Sequence, residues 1–200
     1  MKKAIFIVGL FLLISCDVTR NLPKQLYDCK LELQDSSSNK KEPMTYEDSI
    51  MVISFAASRN SINFGLKNKS TQPIIIDWDA CSFIQNGKNM RVMHNGINFV
   101  HRNEPMAKTA LAPQTILNDF IVPSDNVYYY TGFITGFYNV TPGWFFYDMF
   151  KVSEKDALTP EIAYAQKGQK VSFMLSMEID SKKISRVFNF IVRDVNAINQ

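Results

Sequence analysis

Alternation of apolar and polar residues in two separate stretches is the feature that most constrains how this chain folds. Ile62, Phe64 and Leu66 alternate with polar or small residues, and Val171–Ile179 places an apolar side chain at every second position. Side chains of a β-strand point to opposite faces in turn, so a period of two predicts half-buried strands. The sequence lacks the sustained 3.6-residue spacing of a long amphipathic helix. The pattern therefore predicts an all-β fold.

Turn signals separate the predicted strands at short intervals. Asn86-Gly87 lies between two apolar runs, and Asn-Gly is a strong signal of a tight β-hairpin. Asp180–Lys183 separates the alternating run from a return strand, Val187–Val192, whose apolar content favours burial on both faces. A short helix is expected within Leu158–Gln166. Seven or eight strands with such turns predict an antiparallel immunoglobulin-like β-sandwich.

The first sixteen residues predict export and lipid attachment. Two lysines precede an apolar run, Ala4–Leu13, which is too short to span a bilayer and leads to Ser15-Cys16. This arrangement resembles a bacterial lipobox, in which signal peptidase II cleaves before a lipidated cysteine. The resemblance implies a lipid on Cys16 that anchors the protein to a membrane of the bacterial cell envelope, with its domain facing the periplasm. The alternative is an ordinary secretory signal with an incidental cysteine.

The predicted organisation has three parts. Residues 1–15 form the signal peptide, residues 16–48 carry the lipid and a tether, and residues 49–200 form the β-sandwich. Within the tether, Leu26–Leu33 has a short alternation that predicts an added strand. Residues 35–43 are polar without an apolar period, which is typical of a loop.

The charge and the Cys and His content argue against several classes of function. The formal net charge of +3, from 22 Lys and Arg against 19 Asp and Glu, is too small to indicate nucleic-acid binding. Three cysteines and two histidines leave little material for a Cys/His metal centre. We therefore expect no nucleic-acid partner, no metal and no cofactor.

Short motifs between Ile76 and Tyr128 resemble those of a group of bacterial lipoproteins of unknown function. The motifs, which are followed by the final hairpin, are Ile76-Asp77-Trp78-Asp79, Gly87-Lys88, Arg91-Val92-Met93-His94, Pro113 and Val122-Pro123-Ser124-Asp125-Asn126-Val127-Tyr128. The resemblance covers Phe64–Val195. It implies a fold and a location, and it brings no activity with it.

One cluster combines the residue types that cysteine-nucleophile catalysis needs: Asp77, Asp79, Cys81, His94 and His101. Asp77 and Asp79 share a strand face, because they are two residues apart. No glycine elbow or other catalytic motif surrounds Cys81. Aspartates at the end of a strand commonly accept hydrogen bonds from turn backbone. We therefore expect the protein not to be an enzyme.

Two cysteines remain once Cys16 is lipidated. In an oxidising periplasm, Cys29 and Cys81 can form a disulfide that joins the N-terminal segment to the sandwich. Closing a loop of about 50 residues in this way is worth about 4 kcal/mol. The alternative is two buried thiols.

Tyr128–Phe150 is the most unusual segment, because eleven of its residues are aromatic. Glycine and proline residues interrupt it, so no long strand or helix is expected. If exposed, its rings offer a surface to a partner; if folded over the sandwich, they fill the core and avoid aggregation. The candidate contact residues are Tyr128, Tyr129, Tyr130, Trp144, Phe145, Phe146 and Tyr147.

These features together predict a non-enzymatic lipoprotein that acts as an interaction or assembly module of the cell envelope. Its partners are the membrane, through the lipid, and an envelope protein at the aromatic segment. The alternative is a glycan-binding or envelope-stress accessory lipoprotein that uses the same aromatic rings to stack on sugars.

Overall fold

The computed structural model of the chain describes residues 26–34, 44–135, 138–150 and 160–198. The expected signal peptide and the lipidation site at Cys16 lie outside these residues. The described strands are β1 (Leu26–Leu33), β2 (Thr45–Glu47), β3 (Met51–Ala57), β4 (Ile62–Asn68), β5 (Ile74–Ile76), β6 (Ser82–Gln85), β7 (Lys88–Met93), β8 (Thr109–Leu111), β9 (Ile116–Pro123), β10 (Val127–Tyr130), β11 (Phe133–Thr135), β12 (Tyr138–Val140), β13 (Gly143–Phe146), β14 (Lys170–Ile179) and β15 (Lys182–Ile198).

Helical structure is scarce among the described residues. The short helix expected within Leu158–Gln166 is α1 (Pro160–Tyr164). Its first residue is a proline, which is tolerated there because the first helical N–H has no partner within a helix. Three single 3-10 turns join strands, at Trp78–Ala80, Phe99–His101 and Ser124–Asn126.

Eleven strands form one antiparallel hydrogen-bonded path. Its order is β1-β15-β14-β6-β7-β9-β4-β3-β2, and β5 pairs with both β14 and β8. The path folds back on itself, because the ring of Phe55 in β3 lies 5.0 Å from the rings of Phe188 and Phe190 in β15, and Phe64 in β4 lies 6.2 Å from Phe173 in β14. Two layers therefore face each other across one apolar core. The predicted fold class is confirmed as an antiparallel β-sandwich.

The alternating stretches build the core from both layers. Ile62, Phe64 and Leu66 of β4 are buried, and so are the alternating apolar residues of β14, namely Val171, Phe173, Leu175 and Met177. The prediction that Val187–Val192 is buried on both faces is wrong. Phe188, Phe190 and Val192 face the core, whereas Val187 is 43% exposed, so β15 is covered on one face only.

Two tight turns fix the register of the hairpins. Asn86 and Gly87 both have positive φ angles, of 51° and 74°, as the Asn-Gly signal predicts. Asp180 and Ser181 form a turn with φ angles of 49° and 59°. This conformation is costly for a residue other than glycine, and aspartate tolerates it better than most.

Two strands lie within the segment 16–48 that the sequence assigns to a tether. The added strand expected at Leu26–Leu33 is present as β1 and pairs along its whole length with the end of β15. The short strand β2 pairs with β3 and lies at the opposite end of the strand order from β1. The described parts of this segment therefore belong largely to the sheet.

Candidate interaction surface

The aromatic segment forms a ribbon of paired strands, which we call the aromatic arm (residues 127–147). β10 pairs with β13, and β11 pairs with β12 farther along. The arm belongs to neither layer of the sandwich, since both pairs are separate two-stranded sheets. The interruptions predicted from glycine and proline divide it, and Gly132, with a φ of 75°, ends the β10 pairing.

Two ion pairs and two hydrogen bonds hold the base of the arm. Asp125 lies 2.6 Å from Lys88, and Asp148 lies 2.7 Å from Arg59. The N–H of Met149 donates to the carbonyl of Arg59 at 2.8 Å. The carbonyl of Met149 accepts from Gln85 at 2.6 Å, and the chain then enters the core at the buried Phe150. Both ends of the arm are therefore fixed to the sandwich.

The register of the ribbon sorts the aromatic residues onto two faces. Directly paired residues share a face, and successive residues alternate. One face carries the pairs Val127–Phe146 and Tyr129–Trp144. The opposite face carries Tyr128 with Phe145, then Tyr130 and Tyr147. We call these the inner face and the outer ladder.

The inner face packs on a small apolar cluster separate from the main core. Met93, Val122 and Val127 are its buried centre, and Trp144 and Phe146 pack against it. Phe99, from the loop after β7, lies 5.7 Å from Trp144 and 5.4 Å from Phe146 between ring centroids. The guanidinium of Arg102 lies 5.3 Å from the Trp144 ring, within range of a cation–π contact. This face is structural.

The outer ladder is a continuous row of four rings. The ring centroids of Tyr130 and Phe145 are 6.1 Å apart, those of Phe145 and Tyr128 are 6.0 Å apart, and those of Tyr128 and Tyr147 are 4.2 Å apart. Phe145 is 40% exposed and Tyr147 is 56% exposed. Contacts within the row restrict the rings, so the ladder presents ordered apolar area to its surroundings.

The arm carries no charge over its whole length. No Asp, Glu, Lys or Arg lies between Asp125 and Asp148, and each of these two residues is in an ion pair. The nearby Arg102 lies on the inner side, against Trp144. The outer ladder therefore offers apolar rings and neutral hydroxyl groups.

The two alternatives for the aromatic segment each describe part of it. Of the seven candidate contact residues, Tyr129, Phe145 and Tyr147 are exposed, and the other four are half-buried. Trp144 and Phe146 pack inward, so they are poor contact residues. The side chains of Phe133, Phe137 and Tyr138 lie outside the described residues.

Two residues of this region were not singled out from the sequence. Phe99 and Arg102 come from a polar loop roughly forty residues before the strand they cover. In the sequence, Phe99 is an isolated aromatic residue shortly after the Asn95-Gly96 turn. Such a residue does not indicate which other side chains its ring packs against.

Three of the residues considered for catalysis, Asp77, Asp79 and His101, are held by nearby side chains or backbone. Asp77 lies 3.1 Å from Lys108, and Asp79 pairs with Arg91 while accepting the Met106 N–H at 3.2 Å. His101 pairs with Glu104 at the surface, 2.8 Å away. Each of these groups therefore has a local structural partner.

The two thiols are separate in the structure. Cys29 and Cys81 are both free, so the disulfide is not formed. Cys81 is buried, and its Sγ accepts from the Ser176 N–H and donates to the Asp77 carbonyl, both at 3.3 Å. Burial raises the pKa of the Cys81 thiol to about 12 and the pKa of the half-buried Cys29 thiol to about 11. Neither thiol is therefore an activated nucleophile at neutral pH.

His94 forms a buried stack with Trp78. The two rings are 3.9 Å apart and nearly parallel, and His94 Nδ1 lies 3.2 Å from the carboxylate of Asp119. That carboxylate also accepts the Asn95 N–H at 2.8 Å and the Phe120 N–H at 2.7 Å. His94 Nε2 is buried, with no hydrogen-bond partner in the described part of the chain. The contact between His94 and Asp119 anchors the start of the loop that carries Phe99.

Within the described ranges, no group of three or more His, Cys, Asp or Glu side chains is placed to hold a metal ion. No helix in these ranges has the length and apolar character needed to cross a bilayer.

Comparison with known proteins yields a likeness to a solved structure and none to a family. No protein-family model and no curated protein matches the sequence. Among solved structures, the chain is similar to the GAE domain of GGA2p from Saccharomyces cerevisiae, with 10% sequence identity and a TM-score of 0.26. The match covers 77% of this chain and 93% of that chain.

Proposed function

We propose that the protein is a non-enzymatic interaction module of the bacterial cell envelope, anchored by a lipid on Cys16. It contacts a partner protein through the outer ladder of the aromatic arm. The observation that carries this proposal is a row of four ordered rings, of which Phe145 and Tyr147 are exposed.

Physical considerations favour a protein partner for this surface. Clustered exposed aromatic rings are rare on monomeric domains, because they promote association. Rings that already contact one another lose little freedom on binding, so their burial yields more net affinity than burial of mobile side chains. Tyrosine adds a polar group at its tip, which suits an interface that forms and dissociates in water.

The proposed anchor rests on the N-terminal sequence. The run Ala4–Leu13 followed by Ser15-Cys16 supports cleavage before Cys16 and lipid attachment to its sulfur. Two or three acyl chains, at about 0.8 kcal/mol per buried CH₂, make such anchoring stable.

Replacing Cys16 with serine tests the anchor. We expect Cys16→Ser to leave an uncleaved precursor without lipid, because serine lacks the sulfur that is lipidated. Metabolic labelling with an alkyne fatty acid and the mass of the processed chain measure both effects. Cys29→Ser, which leaves the proposed site intact, is the control. Normal cleavage and labelling of Cys16→Ser would refute the anchor.

Site-specific crosslinking tests the contact surface. A photo-crosslinking amino acid at position 147 is expected to capture one envelope protein in intact cells, and at position 164 it is not. Tyr164 is a matched control, because it is an exposed tyrosine (51%) outside the arm. Phe145→Ser, which removes the neighbouring ring of the ladder, is expected to abolish the capture. Equal capture from both positions, or capture that survives Phe145→Ser, would contradict the proposal.

A neutral glycan is the second candidate partner. The observation that favours it is the lack of charge along the whole arm, since uncharged sugars stack on aromatic rings without an ion pair. Affinity electrophoresis in gels with a neutral polysaccharide distinguishes the two. Retardation that is lost in the double variant Phe145→Ser/Tyr147→Ser would favour the glycan.

A further inference from the structure

A shallow cleft lies on the solvent-facing side of β3, β4 and β9, which we call the asparagine cleft. It measures about 460 Å³, within the range of about 300–1,000 Å³ that is usual for small-molecule sites. Asn95, from the loop after β7, lines it together with two rows of directly paired residues that cross the three strands. These rows are Ser54, Gly65 and Asn118, and next to them Ala56, Asn63 and Phe120.

Gly65 keeps the floor of the cleft open. A Cβ atom at this position would lie 3.1 Å from Oδ1 of Asn118, which is closer than side chains normally pack. Gly65 does not have a positive φ angle, so the backbone does not require glycine here. Glycine inside a strand weakens it and often marks a place where a ligand approaches the backbone closely. The space above the strand therefore accounts for the glycine, and its conformation does not.

A buried carboxylate fixes two of the residues that line the cleft. Asp119 accepts the N–H of Asn95 at 2.8 Å and the N–H of Phe120 at 2.7 Å through one oxygen. Its other oxygen lies 3.2 Å from Nδ1 of His94. The Asp119 side chain is only 5% exposed, and these contacts occupy both of its oxygens. Asp119 therefore holds the loop and the strand in place without offering a charge to a ligand.

Three side-chain amides supply the polar groups of the cleft. The side chains of Asn95 and Asn118 form no hydrogen bond with any other described residue, and Asn63 donates one N–H to the Ala56 carbonyl at 3.3 Å. Each amide has donors as well as an acceptor. Among the described residues, no Lys, Arg or His side chain lines the cleft. The cleft thus combines neutral donors and acceptors with the aromatic ring of Phe120.

This combination suits a neutral sugar better than other ligands. Hydroxyl groups donate and accept hydrogen bonds, as amides do, and the C–H face of a sugar packs on an aromatic ring. An anion would find no cationic side chain in the cleft, and a cation would find the oxygens of Asp119 already occupied. A peptide strand would find no sheet edge, because β3, β4 and β9 are each paired on both sides.

We propose that the asparagine cleft binds a neutral sugar residue of a glycan. The amides of Asn63, Asn95 and Asn118 bond its hydroxyl groups, and the ring of Phe120 packs against its C–H face. Phe120 also packs against the apolar cluster beneath the aromatic arm, which restricts the ring. The site goes beyond the proposed function, since it shares no residue with the outer ladder and is separate from the glycan contact considered there.

Titration with neutral disaccharides tests the site. The full chain, in a detergent that contains no sugar, is titrated with maltose, cellobiose, lactose, mannobiose and diacetylchitobiose in turn. NMR follows the side-chain amide signals of Asn63, Asn95 and Asn118. We expect at least one of these sugars to shift all three signals in a saturable manner. Digalacturonic acid, which is anionic, is the control and is expected to cause no saturable shift.

Two substitutions show whether the cleft is the place of binding. Asn118→Ala removes one amide, and we expect the dissociation constant of the sugar to rise by about tenfold. Asn89→Ala, at an exposed asparagine of β7 outside the cleft, is the matched control and is expected to leave it unchanged. Gly65→Val fills the floor and is expected to abolish binding. This variant is expected to fold, because valine is favoured in strands and the exposed side chain of Asn118 can turn away.

Three results would overturn the site: no saturable shift with any of the five sugars, unchanged affinity in both Asn118→Ala and folded Gly65→Val, or saturation by tetra-alanine and not by the sugars, which would indicate a peptide site. Its failure is distinguishable from failure of the proposed function. Gly65→Val is expected to keep partner capture from position 147, and Phe145→Ser is expected to lose that capture and keep sugar binding.

Discussion

Phe188→Ala is expected to lower the free energy of unfolding by about 3–5 kcal/mol, the cost of deleting a fully buried aromatic ring. Phe188 has no exposed surface. Its ring centroid lies 5.0 Å from that of Phe55 in one layer and 6.2 Å from that of Phe173 in the other. A cavity at this position removes contacts across both halves of the sandwich. Urea denaturation followed by circular dichroism measures the loss.

The residue before Phe188 provides the control. Val187 lies on the same strand but points to the other face, where it is 43% exposed. Val187→Ala is expected to change the free energy of unfolding by less than about 0.5 kcal/mol. A similar loss from both substitutions would mean that β15 is not oriented as described.

The strands and turns were readable from the sequence wherever one face of a strand is clearly polar. In β4, Asn63 and Lys67 mark the outer face, and in the β6–β7 hairpin Asn86-Gly87 fixes the turn. The prediction that β15 is buried on both faces is wrong because Val187 and Ile191 are apolar although they face outward. Apolar residues are common on protein surfaces, so a continuous apolar run does not by itself establish burial on both faces.

The candidate surface was readable in composition but not in geometry. The density of aromatic residues located the arm. Whether a given ring is exposed, however, depends on which of the two faces of the ribbon its residue occupies. The face that each residue occupies is set by the pairing of β10 with β13, two strands that are separated by twelve residues of sequence. The inner face is further determined by Met93 and Phe99, which come from a separate part of the chain and carry no pattern linking them to the arm.

Phe146→Ala is expected to lower the free energy of unfolding by about 2 kcal/mol, less than at a core position because the ring is only half-buried. The ring packs on the cluster of Met93, Val122 and Val127, and its centroid lies 5.4 Å from that of Phe99. Phe145→Ala, at the next residue, is expected to cost about 0.5 kcal/mol, since that ring lies in the exposed outer ladder. Thermal and urea unfolding of both variants measure the difference.

The most direct test of the two-faced arm measures stability and partner capture for this pair of neighbouring residues in one experiment. Capture is read from a photo-crosslinking amino acid at position 147. We expect Phe145→Ala to lose capture and keep most of its stability, and Phe146→Ala to lose stability and, at temperatures where it remains folded, keep capture. The reverse pattern, or equal losses in both variants, would contradict the assignment of the outer ladder as the contact surface.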